Sequence, residues 1–448
     1  MNLYSFLLIA FGFLLSIEQG FTVVLGVLSS GVARGADVLM PVDVAIYALF
    51  LMKPGKRIPK KYKGLYIFAT AFGLIYLAWS FSGEFVAVER ADFRFGFVHL
   101  IRAILVYLCI LNRVSTRKDV IDFTMGVVFG LGFEAAIGVW QWQIGPVFIP
   151  FFHVINDWRA TGTLGVGNAF GCFIALLAPL SIRMAMFTSI KPKWLWYTIS
   201  ILSLGSLLAS YTRGAWFAFT GSMIIFFYLD FLKRKLNRKQ TVWLFVVLIA
   251  GITFTSVKYG HVITGRMSDS KESLVGHRKH SRMGLAKDAM RIIKENPITG
   301  VGLNNYRYHA DRETQGTRIV HNAYLLIAAQ QGYPGIAIFL ILNLVIFIYG
   351  FKLRKSRDPA LYHIGMAALT GTLALFIYHL VAPDYRLVIP KLHHWRAIAF
   401  IVALLIADER TRIIYRRRKT NKNRKTNGVS KSQMTIHNQH NETALQKY

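Results

Sequence analysis

Three arginines and one histidine stand where apolar stretches begin or turn back: Arg159, Arg213, Arg282 and His321. A guanidinium keeps its charge and grips two phosphate oxygens in one plane. A neutral imidazole can take a proton from a hydroxyl near neutral pH, and nearby cations favour that neutral form. Guanidiniums plus an imidazole therefore suit the handling of an anionic group beside an activated hydroxyl.

Each residue also has a plainer reading. Arg213 lies in the tight turn Ser210-Tyr211-Thr212-Arg213-Gly214, where an arginine at a membrane edge either snorkels or binds something. Arg159 opens a glycine-rich run to Asn168, which suits a tightly packed backbone that the Asn168 side chain could satisfy. Arg282 falls in the first turn of an amphipathic helix predicted over 281–296, with Ser281 as its N-cap and Pro297 beyond its end. Leu285, Ala289, Ile292 and Ile293 form its apolar stripe, while Lys287, Arg291 and Lys294 read as a solvated face. A cation at Arg282 opposes the helix dipole, so it snorkels or holds an anion; Arg278 is close enough to compete for that part.

Gly300-Val301-Gly302 reads as a turn that folds the loop back toward the membrane. His321-Asn322 then opens an apolar run to Gln331, which Gly332-Tyr333-Pro334-Gly335 breaks. One helix over 321–351 would be about 46 Å long, more than a bilayer core needs. A short outer helix followed by a span from Pro334 is expected, leaving His321 at the surface as a structural histidine or a general base. Asp384, just after Pro383, is placed at the same cavity, where it could orient an acceptor or His321. The pair Asp311 and Glu313 could suggest a metal, but Arg307, Arg312 and Arg318 surround it and favour salt bridges. Neither metal nor other cofactor is expected.

These residues need a scaffold, and the composition supplies one. Of 448 residues, 54% are hydrophobic, in blocks long enough to cross a bilayer as helices. The two cysteines, Cys109 and Cys172, fall inside predicted spans, which disfavours a disulfide or a thiolate site. The net charge of +31 concentrates in short loops and the C-terminal tail, where it sets topology and meets anionic membrane lipids; no nucleic acid is expected. Met1–Ile17 lacks the features of a cleavable signal.

Basic loops at 53–63, 112–118, 233–239 and 352–357 mark one side as cytoplasmic. Spans are predicted near 64–82, 97–112, 122–143, 166–187, 194–210, 214–232, 240–257, 333–351, 360–382 and 394–408. Two crossings in the first 52 residues, or three short ones, bring the total to about twelve. This parity places the long polar loop from Lys258 outside, although the loop is itself basic. The expected organisation is spans over 1–257, an outer loop over 258–332, three further spans over 333–409, and a basic cytoplasmic tail over 410–448, disordered by its polar composition.

Four segments carry a resemblance. RATGTLGVGNAFG (159–171), SYTRGAW (210–216), the arginine and NPITGVGLNNY within 282–306, and HNAYLLIAAQQGYPG (321–335) follow the order seen in the O-antigen ligase and polymerase superfamily. The likeness covers about 159–351, with one departure: Ala286 stands where the family often has tryptophan. The resemblance implies an all-α polytopic membrane protein of GT-C-like fold, with about twelve transmembrane helices and one large periplasmic helical loop. It also implies a multi-pass protein of the bacterial inner membrane whose active site faces the periplasm.

The activity it implies is that of an O-antigen ligase. A glycan would move from an undecaprenyl-pyrophosphate-linked donor to a lipid A-core acceptor by metal-independent inverting transfer. Arg213, Arg282 and His321 match the family's two arginines and its histidine, His321 as general base. Arg159, Arg278, Asn322 and Asp384 are then candidates for substrate binding. A polysaccharide polymerase or a protein O-glycosyltransferase would share these motifs. A lipid-linked sugar transporter would instead show repeats and mid-depth charge, and no internal repeat is evident.

Single cysteines placed through 258–320 are expected to react with a membrane-impermeant thiol reagent from the extracytoplasmic side. Labelling only after the cytoplasmic face is opened would invert the topology.

Overall fold

The computed structural model describes residues 2–17, 41–52, 58–145, 159–187, 190–232, 282–310 and 319–445, with side chains as far as Asn421. The expected span at 240–257, Arg278, Ser281 and the Asp311/Glu313 pair lie outside the described residues. The described chain is helical, with no strand among the described residues. Its helices are α1 (Leu3–Leu14), α2 (Pro41–Leu51), α3 (Lys60–Phe81), α4 (Arg90–Arg113), α5 (Arg117–Gln143), α6 (Gly167–Phe187) and α7 (Lys193–Ala209). They continue with α8 (Arg213–Leu232), α9 (Arg282–Glu295), α10 (Tyr306–His309), α11 (Ala323–Gly350), α12 (Pro359–His379) and α13 (Val388–Leu445). Among the described residues, seven helices are long and apolar enough to cross a membrane.

α6 lies deepest: in its most apolar stretch 94% of residues are buried by protein, against 28% for α3, which leaves α3 facing lipid. α6 packs on α7 and α12, α4 on α13, and α1 on α5. At the α1–α5 crossing a Cβ on Gly126 would lie 2.0 Å from the Ile9 carbonyl oxygen, so only glycine lets these backbones meet. One charged cluster inside the bundle is paired, as a low-dielectric setting demands. Arg183 donates to Asp230 at 2.6 Å and Tyr362 donates to the other carboxylate oxygen at 2.5 Å, tying α6, α8 and α12 together.

The two ends of the bundle differ. One end gathers the starts of α3 and α5, the α11–α12 junction and the middle of α13 through Lys61–Glu409, Arg117–Asp358 and Arg412–Asp408 ion pairs. Several of the basic loops predicted to share a side meet here. The other end carries the turns 159–168, 210–213 and 378–386, together with α9 and the start of α11.

α13 is the longest helix among the described residues: its buried part ends near Glu409, and the helix continues to Leu445. A packed helix is already nucleated there, after which each residue adds one hydrogen bond.

The break in α11 falls where expected, at Gly332 (φ 67°, ψ −176°). Pro334 has no N–H, so the Gln330 carbonyl loses its helical donor, and Gly302 N–H takes it at 2.9 Å. Tyr333 N–H turns to the Pro297 carbonyl at 2.8 Å, which frees the Ala329 carbonyl for Val301 N–H at 3.0 Å. Trp79 Nε1 donates to the Gln331 carbonyl at 2.9 Å. The 297–302 turn thus docks into the break, and α9 behind it is seated by Leu285, Ala289, Ile292 and Ile293, all buried.

Gly332→Ala is expected to lower the stability of the purified protein by at least about 2 kcal/mol, through its positive φ and a Cβ 1.9 Å from the Ile298 oxygen. A thermal unfolding curve in detergent equal to wild type would contradict this.

Candidate functional site

The site is built around the turn that follows α12. Tyr378 is buried one residue before the end of that helix. Its phenol oxygen lies 2.5 Å from Asp384 Oδ2 and 3.0 Å from the Asn168 carbonyl oxygen. Its ring backs onto Gly214, where a Cβ would come 3.4 Å from it and 2.9 Å from the Val381 side chain. Two residues after Tyr378, the Leu380 carbonyl accepts from Asn322 Nδ2 at 3.1 Å. Three segments far apart in sequence (around 168, 213 and 322) therefore converge on residues 378–384.

The 159–168 turn is held from several directions. Arg159 Nε donates to the Ser210 carbonyl at 2.9 Å, and Nη2 donates to Asn168 Oδ1 at 2.8 Å and Thr212 Oγ1 at 3.0 Å. Thr212 Oγ1 also donates to the Gly167 carbonyl at 2.9 Å. From α5, the fully buried Glu134 accepts from Thr163 N–H at 2.8 Å and Thr163 Oγ1 at 2.5 Å. Gln141 Oε1 accepts from the N–H groups of Thr161 and Gly162, each at 2.9 Å. Arg159, considered for substrate contact, is observed clasping this turn to the Arg213 turn.

Arg213 and Arg282 each occupy the first position of a helix, α8 and α9. Both reinforce the positive end of a helix dipole, a placement that favours an anion in front of them. Arg282 is exposed by accessible area, yet partial desolvation first and the Arg213 charge second pull its pKa below the ordinary arginine value, while Tyr378 acts in the opposite sense. Because the group is so exposed, the shift marks proximity rather than loss of charge. Arg213, Arg282 and Tyr378 are thus within electrostatic reach of one another.

His321 is half-buried immediately before α11. Asn322 N-caps that helix, its Oδ1 accepting from Leu325 N–H at 3.0 Å. Both polar ends of Asn322 are engaged by protein, so it anchors His321 to the 378–381 turn. Asp384 is buried and close to Arg159, Arg386 and Tyr378; burial raises its pKa, and the three neighbours offset that in part. Arg291, read as part of a solvated face, pairs with Asp288 and Glu295. Arg307 pairs with Asp92 and docks the 302–308 segment on the start of α4. Tyr378, Glu134, Gln141 and Thr212 were not singled out from sequence; only Thr212, inside SYTRGAW, carried any local signal. Among the described residues no cluster of metal-ligating side chains occurs.

Residues 198–340 match the family model described as O-antigen ligase. The matched segment includes Arg213, Arg282 and His321, and it supports placing the chain in the O-antigen ligase superfamily. No curated protein matches the chain.

Arg159→Lys would replace a three-bond fork with a point charge. The variant is expected to lose about 1.5–3 kcal/mol of stability, measured as a lowered melting temperature. Wild-type melting would mean that the clasp adds nothing.

Proposed function

We propose that this chain is a membrane glycosyltransferase of the O-antigen ligase type. It takes a glycan from a polyprenyl diphosphate, undecaprenyl diphosphate in a bacterial inner membrane, and passes it to a hydroxyl of a lipid A-core acceptor on the periplasmic side. The observation that carries this reading is that Arg213 and Arg282 each begin a helix and lie within electrostatic reach of one another and of Tyr378, at the end of the bundle where α11 begins after His321. The family match over the same residues supports it.

In this reading Arg213 and Arg282 hold the diphosphate, and the dipoles of α8 and α9 add to their charge. His321 accepts the proton of the acceptor hydroxyl. The hydroxyl oxygen bonds to the anomeric carbon as the carbon–oxygen bond to the diphosphate breaks, and the configuration inverts. Negative charge builds on the departing diphosphate, where the two guanidiniums stabilise it without a metal. Asn322 fixes the histidine against the 378–381 turn, and Arg159 fixes the Arg213 turn.

Purified full-length protein, incubated with a polyprenyl-diphosphate-linked glycan and lipid A-core, should form the conjugate. His321→Ala should slow transfer about 10²–10⁴-fold while donor binding persists. Arg213→Lys and Arg282→Lys should weaken both donor binding and transfer, because an ammonium cannot reproduce the bidentate grip. Normal transfer by the alanine variant would remove His321 from the mechanism, and full activity in both lysine variants would remove the phosphate fork.

A further inference from the structure

Three irregular segments lock together at the end of the bundle that carries α9. The 82–89 turn between α3 and α4 meets the 297–302 turn: a Cβ on Gly83 would lie 2.8 Å from Gly302 Cα, and one on Gly302 would lie 3.3 Å from Ala87 Cβ. The 297–302 turn also fills the break in α11. Each segment holds out large apolar side chains: Phe85 is 77% exposed, Val88 64%, Ile298 63% and Tyr333 52%.

Helix lengths set their depth. From Lys61, ion-paired with Glu409 at the opposite end, α3 rises about 30 Å to Phe81 at 1.5 Å per residue. That is the thickness of a hydrocarbon core. α11 agrees: from Pro334 to Gly350 it rises about 24 Å, and Lys352 beyond it stacks over the Tyr349 ring at 3.8 Å. Phe85, Val88 and Tyr333 therefore stand at the far edge of the core, and Ile298 stands beside them, its carbonyl oxygen 1.9 Å from where a Gly332 Cβ would be.

The backbone polarity of these segments is turned inward. The N–H groups of Val86 and Ala87 bond to the Gly83 carbonyl, at 3.3 and 2.9 Å. Asn305 takes both the Glu89 N–H, at 2.8 Å, and the Glu89 carbonyl, at 3.1 Å. In the break, Val301, Gly302 and Trp79 satisfy the Ala329, Gln330 and Gln331 carbonyls, and Tyr333 N–H is spent on Pro297. Irregular backbone at membrane depth requires such satisfaction, whereas a turn in water can leave it to solvent. Neighbouring charges are compensated as well, Arg94 by Glu84 and Arg307 by Asp92.

We propose that Phe85, Val88, Ile298 and Tyr333 form an interfacial surface seated in the bilayer leaflet on the α9 side, where head groups meet acyl chains. Its occupant is phospholipid, because the surface continues the lipid-facing side of α3. The contact is apolar, with the Tyr333 phenol suited to the head-group layer, so zwitterionic lipid suffices. The 297–302 turn, to which α9 leads, is thereby held at head-group depth. The inference stands apart from the transfer reaction.

The test uses full-length protein in phosphatidylcholine nanodiscs. Cys109 and Cys172 are buried, so Phe85→Cys, Ile298→Cys and Tyr333→Cys each take a bimane label at one place. Leu74→Cys, exposed on α3, is the immersed control, and Glu295→Cys, exposed on the charged face of α9, is the solvated one. Phosphatidylcholine brominated near the top of its acyl chains should quench the three labels several-fold more than the label at Glu295→Cys. Aqueous iodide should quench them several-fold less. Quenching by iodide alone places the surface in water, and quenching by neither means that another part of the chain or a second copy covers it; either result overturns the proposal. Bromolipid quenching that appears only when anionic phosphatidylglycerol is added overturns its apolar basis.

Discussion

The site depends on backbone hydrogen bonds across the break in α11. Pro334 strips the Gln330 carbonyl of its donor, and Tyr333 turns its N–H away from the Ala329 carbonyl. Two buried carbonyls without donors would cost free energy comparable to two lost hydrogen bonds. The 297–302 turn cancels that cost with the N–H groups of Val301 and Gly302. The segment that supplies them also carries α9, and hence Arg282, while the broken helix begins at His321. One defect in a helix is thus what couples an arginine on a polar loop to a histidine at the head of a membrane span.

The second constraint is charge. Arg213 and Arg282 begin their helices, so their guanidiniums add to the positive helix ends instead of neutralising them. Such an arrangement is unfavourable in isolation and favourable once an anion is present. The surrounding turns bear the mechanical load: Arg159, Glu134, Gln141 and Thr212 fix backbone positions, and the 378–386 turn joins what they fix. The polar groups that fix these turns and the two arginines that begin helices are therefore different residues, though they stand side by side.

Much of this was legible in the sequence. The spans predicted from hydropathy fall on helices wherever the chain is described, and the Gly332–Pro334 break lies where length alone required one. Arg282 stood out because a cation at a helix start opposes the dipole, and Arg213 because it lies in a tight turn at a membrane edge. Other features were hidden for physical reasons. Tyr378 and Glu134 sit inside long apolar helices, where one polar residue reads as tolerated filler. The clasp made by Arg159 was hidden because its partners, Ser210 and Thr212, are some fifty positions away.

The last helix, α13, has a practical consequence. From Glu409 to Leu445 it extends about 54 Å at 1.5 Å per residue, past the ion pairs at the end of the bundle away from Tyr378. A reporter, purification handle or imaging fiducial fused there would stand far from Arg213, Arg282 and His321. Carried on one continuous rod, it would mark the direction of the molecule without touching its chemistry.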